Sequence, residues 1–303
     1  MNKEEILNNL NLKIKSVTKR GKCTIITTNN GKYVIKNNTR KSDFYEYLLS
    51  RNFNYFPEVY TKVGDKIELT HFIDENNVPT EQKIEDIVYL TSILHRNTVY
   101  DKNIDIDSIK EIYENLINKQ NYLINYYQNL QNIIEEEVYM SPANYYLIRN
   151  MSLIYFSINK SREYLDKWYK IIEKSKSMRY SYIHGNLRKE HLIEGNNLYL
   201  ISWDKSRIDL PLYDLDSFYR NSFDSINLSD LIEIYQTKFP LKKEELYLLK
   251  SLLLLPTMLS LKENEFLRVK QVSNLILYLE SIYVYLKNNS EKSNDNTKKQ
   301  QEN

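Results

Sequence analysis

Up to His71 the chain runs in short segments rich in Ile, Val and Thr, each closed by turn residues; beyond Thr80, apolar positions recur three and four apart. The first pattern predicts strands over 13–18, 23–28 and 32–36, and two more over 58–61 and 66–71 around Gly64-Asp65. A short helix is expected ahead of the first strand. Asn29-Asn30-Gly31 joins the second strand to the third, and residues that tolerate positive φ predict a type I′ hairpin turn there. Ser42 reads as the N-cap of a helix with Tyr45, Leu48 and Leu49 on its apolar face. These elements make a small β-rich lobe over 1–76, ending in the segment Asp74 to Pro79.

The second pattern predicts helices over 81–95 and 108–137, then a restart at Ser141-Pro142 that continues to about 177. Ser is a favoured N-cap there and Pro a favoured first helical residue. Two β-like stretches follow, 182–193 and 199–203, before helices over 228–237, 242–261 and 264–286. The helical lobe thus covers 77–286 and encloses a catalytic-loop-like segment over 181–216. Residues 287–303 hold too few apolar groups to pack and are expected to be disordered. A small β lobe before a large helical lobe is an α+β, bilobal plan of the protein-kinase type.

Composition narrows the options. With 303 residues, 42% hydrophobic and a net charge of +2, the chain has room for one large or two modest domains and no bulk attraction to nucleic acid or an anionic membrane. The single cysteine, Cys23, excludes an intramolecular disulfide framework and reads as a small strand residue. The opening Met1-Asn2-Lys3-Glu4-Glu5 resembles no secretion signal, and the most apolar stretch, 251–261, is too short to span a bilayer. A cytoplasmic protein is the expectation. Only five glycines are present, which argues against a glycine-rich nucleotide loop. The four histidines show no zinc spacing.

The chemistry concentrates in one run: His184-Gly185-Asn186-Leu187, His191, then Leu200-Ile201-Ser202-Trp203-Asp204 and Pro211-Leu212-Tyr213-Asp214-Leu215. Its order and spacing resemble those of the aminoglycoside phosphotransferase and choline kinase group, most closely its spore-coat, CotS-type members. Upstream, Leu90 to Arg96 is similar to that group's Leu-x-x-Leu-His segment, and Tyr33-Val34-Ile35-Lys36 to its strand lysine. The resemblance covers about residues 11–285. It implies a catalytic base at Asn186, metal ligands at His191 and Ser202, and a loop-holding role for His184. Phosphoryl transfer needs a carboxylate to take the attacking hydroxyl's proton, and oxygen ligands for Mg²⁺ on the phosphates. Asn186 has no titratable carboxylate. His191 offers nitrogen, a poor match for hard Mg²⁺, and Ser202 is neutral. A general base alone contributes ~10²–10⁴-fold.

Several residues stay open between roles. Asp204 is a surrogate metal ligand or a hydrogen-bond acceptor. Lys36 is expected to pair with Glu46, as a retained relic of a nucleotide-phosphate site, the alternative being a solvated strand-end lysine. Lys19, Arg20 and Lys22 form an anion-attracting loop or a basic turn. Three functions follow from the resemblance. The favoured one is a pseudokinase with a structural or interaction role among other proteins, such as a component of the spore coat in sporulation, using no cofactor. The second is an active ATP- and Mg-dependent phosphotransferase on a small hydroxyl-bearing substrate. The third is a nucleotide- or metabolite-binding module without turnover.

Overall fold

The computed structural model describes residues 13–21, 23–37, 43–63, 67–260 and 262–301. The helix expected before residue 13, the cap at Ser42, Lys22 and the Gly64-Asp65 turn lie outside them. In chain order the elements begin β1 (Ile14–Arg20), β2 (Cys23–Thr28), β3 (Gly31–Asn37), α1 (Asp43–Ser50), β4 (Val59–Val63), β5 (Ile67–His71), α2 (Thr80–Thr98) and β6 (Tyr100–Asn103). They continue with α3 (Ile106–Glu135), α4 (Pro142–Arg149), α5 (Met151–Ser175), β7 (Ser177–Ile183), β8 (Leu192–Glu194), β9 (Leu198–Leu200) and β10 (Arg207–Asp209). The last four are α6 (Leu212–Ser222), α7 (Leu228–Gln236), α8 (Lys243–Leu253) and α9 (Glu265–Gln301). Two compact units result: Met1–Val99 with Ser181–Asp209, and Tyr100–Tyr180 with Leu210–Asn303. The sequence placed the boundary near 76 and kept 181–209 with the helices. The first unit also holds α2 and residues 181–209 of the catalytic-loop-like segment, whose last seven residues belong to the second.

The first unit is built on an antiparallel sheet in the order β1-β2-β3-β5-β4. Successive strand side chains face opposite ways. Ile26, Tyr33, Ile35 and Leu69 therefore form one buried cluster, while Val34, Lys36, Glu68 and Thr70 look to the other side. The β2–β3 turn is not type I′, because Asn29 and Asn30 keep negative φ and only Gly31 goes positive, at 131°. Thr28 replaces the expected geometry: its Oγ1 donates to the Gly31 carbonyl and accepts from the Asn30 amide. On α1, Phe44 and Leu48 are buried and Leu49 is 53% exposed. The apolar face is thus turned by one residue from the expected one. Phe44 and Phe53 pack against Trp203, with ring centroids 5.5 and 6.0 Å away.

In the second unit, β6 pairs with residues 177–180 of β7. α5 packs on α8 and α3, and Gln120 Nε2 donates to Ser161 Oγ, which donates to the Ser251 carbonyl. Ser141 caps α4 as expected, accepting from the Asn144 amide. The single helix expected over 142–177 is broken at Asn150, which leaves helical geometry at φ −110° and ψ 9°. The helix expected to run to 261 stops at Leu253. Pro256 explains this, since a proline disfavours helical backbone at the preceding residue and supplies no amide. The α9 backbone continues to Gln301, through residues the sequence assigned to a disordered tail. That stretch contains no Gly or Pro to break it. No helix among the described residues is long and apolar enough to cross a membrane.

Candidate functional site

A cleft of about 730 Å³, counted with the space open to solvent, lies wholly within the first unit. Val34 from β3 and Ile193 and Ile201 from the β8–β9 region give it apolar walls; Lys36, Glu68, Ser202 and Asp204 give it a polar end. The strand register explains the polar end. Lys36 lies directly opposite Cys23 on β2 and Glu68 on β5, and directly opposed residues share a face. Glu68 is 6% exposed and accepts a hydrogen bond from the Tyr45 hydroxyl at 3.0 Å.

The expected partnership of Lys36 with Glu46 is not made. Glu46 is exposed on α1, and the two form no ion pair among the described residues. Tyr45, its neighbour, is the α1 residue that reaches the cleft, and Glu68 is the carboxylate beside the lysine. Cys23 also lines the cleft. Partial burial pushes its thiol pKa up, the Lys36 charge pulls it down and Asp204 pushes it up. Lys36 and Asp204 therefore both lie within electrostatic reach of Cys23.

The loop carrying Asn186 is fixed by its main chain. Gly185 sits at φ +73°, and a Cβ there would lie 2.4 Å from the Lys205 carbonyl oxygen. Only glycine fits. The fully buried His184 ring donates from Nε2 to the Ile201 carbonyl at 2.9 Å, because a carbonyl can only accept. Its ring centroid is 4.7 Å from that of Trp203, whose Nε1 donates to the Leu200 carbonyl. His184 thus ties its loop to the segment that leads into Ser202 and Asp204.

His191, in a short 3₁₀ turn over Lys189–His191, donates from Nδ1 to the Asn186 carbonyl at 2.6 Å. Burial lowers its pKa; the Asn186 bond opposes this, and Arg188 and Lys36 add to the lowering. Ser202 stands in left-handed backbone, φ 66° and ψ 48°. That is a conformation Gly, Asn and Asp hold more cheaply than Ser. Asp204, in the next 3₁₀ turn, is exposed and faces the cleft.

These donors fit Mg²⁺ poorly. The cation takes near-octahedral oxygen coordination, commonly from carboxylates. The implied ligand positions supply one imidazole already committed to a carbonyl and one neutral hydroxyl, with Asp204 an exposed carboxylate in the cleft lining. No group of three His, Cys, Asp or Glu side chains able to hold a metal occurs among the described residues.

No family model and no curated protein matches the sequence. Solved structures do. An aminoglycoside phosphotransferase from Alicyclobacillus acidocaldarius is similar with a TM-score of 0.66 at 10% identity, over 92% of this chain and 92% of that one. Spectinomycin phosphotransferase in its AMP-bound form gives 0.55 at 13% identity, over 92% and 98%. Its complex with ADP and spectinomycin gives 0.52 at 13% identity, over 93% and 98%. This chain has the fold of those phosphotransferases. The kinase-like fold accounts for an α+β chain with a small antiparallel sheet and a larger helical part. Of the residues that motif order singled out, Lys36, Ser202 and Asp204 line the cleft, while His184, Asn186 and His191 are not part of its lining. Sequence reasoning missed Glu68 and the apolar walls, whose only signal was strand alternation.

Proposed function

We propose that the first unit's cleft holds a purine nucleotide, and that the chain does not transfer its terminal phosphoryl group. It would act as a kinase-fold module, a pseudokinase, toward protein partners. The observation that best supports this is the contrast between the cleft and the loop beside it. The apolar walls and Lys36 are in place, while the base position carries Asn186 and the metal positions carry His191 and Ser202. Apolar side chains on either side suit a planar base, and an ammonium suits its phosphates. The nucleotide-bound forms of spectinomycin phosphotransferase share the fold. Loss of base and metal together removes two separate large contributions to rate. Val138 and Tyr139, 87% and 91% exposed between α3 and α4, support contact with another protein. A place in a spore-coat assembly rests on the sequence resemblance.

A second reading is favoured by Asp204, which lines the same cleft as Lys36. In it, Asp204 serves as metal ligand and the chain is a slow phosphotransferase. A triple variant with Asn186→Asp, His191→Asn and Ser202→Asp separates the two. ADP formation is followed with Mg·ATP and a panel of hydroxyl-bearing acceptors. The proposal expects the restored chain to exceed the wild type. Equal turnover by the two, abolished by Asp204→Asn, would establish the second reading instead.

A further inference from the structure

Two helices of the second unit carry the same arrangement of lysine and tyrosine. α5 has Lys160, Tyr164 and Lys167; α8 has Lys243, Tyr247 and Lys250. In each, the tyrosine follows the first lysine by four residues and precedes the second by three, so all three share one helical face. The two helices pack together. Tyr164 and Tyr247 stack with centroids 6.0 Å apart and planes 30° apart.

Three ammonium groups surround this pair of rings. Lys167 Nζ is 5.1 Å from the Tyr164 centroid and 5.9 Å from that of Tyr247. Lys250 Nζ is 5.5 Å from Tyr164 and 5.5 Å from Tyr285. Lys243 Nζ is 5.9 Å from Tyr247. Lys160 is taken by Glu163, 2.6 Å away. The other three form no ion pair with a carboxylate among the described residues. Lys250 is half-buried, and its pKa is lowered first by that burial and then by the Lys167 charge. Like charges gathered on a partly desolvated face disfavour one another, and ring faces neutralise them only in part. The carboxylate that acts on Tyr164 here, Glu163, is paired with Lys160, so the other three ammonium groups lack a carboxylate partner of their own among the described residues.

We propose that the tyrosine-backed cluster of Lys167, Lys243 and Lys250 is a binding site for a multiply charged oxyanion, a pyrophosphate- or polycarboxylate-type group. The site is distinct from the cleft and does not depend on nucleotide binding there. A compact dianion brings two charges to two ammonium groups at once, and lysine accepts phosphate or carboxylate oxygens as a point charge without needing a set angle.

The test titrates sodium pyrophosphate and sodium citrate separately into the full-length protein, against sodium chloride at matched ionic strength, and reads the thermal midpoint. A saturable rise beyond that of chloride is expected. Pyrophosphate alone, citrate alone or both producing it distinguishes a phosphoryl site, a carboxylate site and a site for either. The Lys167→Met/Lys250→Met chain should lose the rise, while Lys36→Met, in the cleft, should retain it. Acetylation of the wild-type chain gives a second measurement that needs no variant. Pyrophosphate or citrate should protect Lys167 and Lys250 and leave Lys102, which lies over Tyr180, as reactive as before. Absence of any rise above chloride, an undiminished rise in the double variant, loss of it in Lys36→Met, or equal protection of Lys102 would each overturn the proposal.

Discussion

His191 donates its Nδ1 proton to the main-chain carbonyl of Asn186 over 2.6 Å, so the imidazole at an implied metal position is occupied in holding the loop at the implied base position. Replacing it with alanine should cost about 1 kcal/mol, the usual net worth of one such bond. The pH dependence has a definite sign. The folded-state pKa of His191 is lowered, chiefly by burial, so its contribution is complete above the unfolded value near 6.5 and is lost as pH falls through the folded value. Urea midpoints across this range should therefore decline less steeply on the acid side in His191→Asn than in the wild type.

Glu194 makes the opposite prediction. It is 7% exposed, and its buried Oε1 has no hydrogen-bond partner. Burial raises its pKa first, Asp86 and Glu75 raise it further, and Lys83 opposes them. A raised folded pKa gives stability that is present below the unfolded value and lost as pH rises through the folded one. Glu194→Gln should raise the midpoint at pH 8, by about 1 kcal/mol for one unsatisfied buried group, and lose that advantage in acid. Equal midpoints at alkaline pH would show that the carboxylate has a partner in solution.

Ser202 carries backbone strain. A non-glycine residue in left-handed backbone costs roughly 1 kcal/mol, and Asn tolerates it better. Ser202→Asn should therefore raise the urea midpoint without a change in slope. Gly185→Ala should do the reverse, by at least that amount, since the added methyl meets the Lys205 carbonyl.

Part of the cleft was legible in the sequence, since Lys36, Ser202 and Asp204 fall in the runs that carry the resemblance. Lys36 follows three strand residues, and His184-Gly185-Asn186 keeps the loop's punctuation. Glu68 was not legible. Both it and its neighbour Leu69 are buried, on opposite faces of β5, so burial does not mark which side meets the cleft. Glu46 looked the better partner by sequence position, yet α1 turns Tyr45 inward instead. The strands β6 and β10 are short and mostly polar, defined by main-chain pairing with β7 that no side-chain pattern reveals. Asn150 breaks the α4–α5 run without Gly or Pro. Pro256 does signal its break, and the apolar run around it hid that.

Arg220 tests the packing of the second unit. It donates to the carbonyls of Leu252 and Leu255 at 2.6 and 2.9 Å and to Asp216 at 2.9 Å, against the Tyr278 ring. It thereby closes the C-terminus of α8. Arg220→Met removes the donor to the Asp216 carboxylate and to the Leu255 carbonyl, while Leu252 keeps its bond from the Leu255 amide, and should cost about 3 kcal/mol, measured by chemical denaturation.

On the reading proposed above, the cleft retains its hold on nucleotide while lacking the anionic oxygens that would seat a divalent cation. Calorimetric titration of ATP into the wild-type chain, with and without Mg²⁺, addresses both halves directly. Saturable binding with the same affinity in both conditions is the expected result. Absence of binding, or a tightening by Mg²⁺ of about tenfold or more, equivalent to 1.4 kcal/mol, would contradict it.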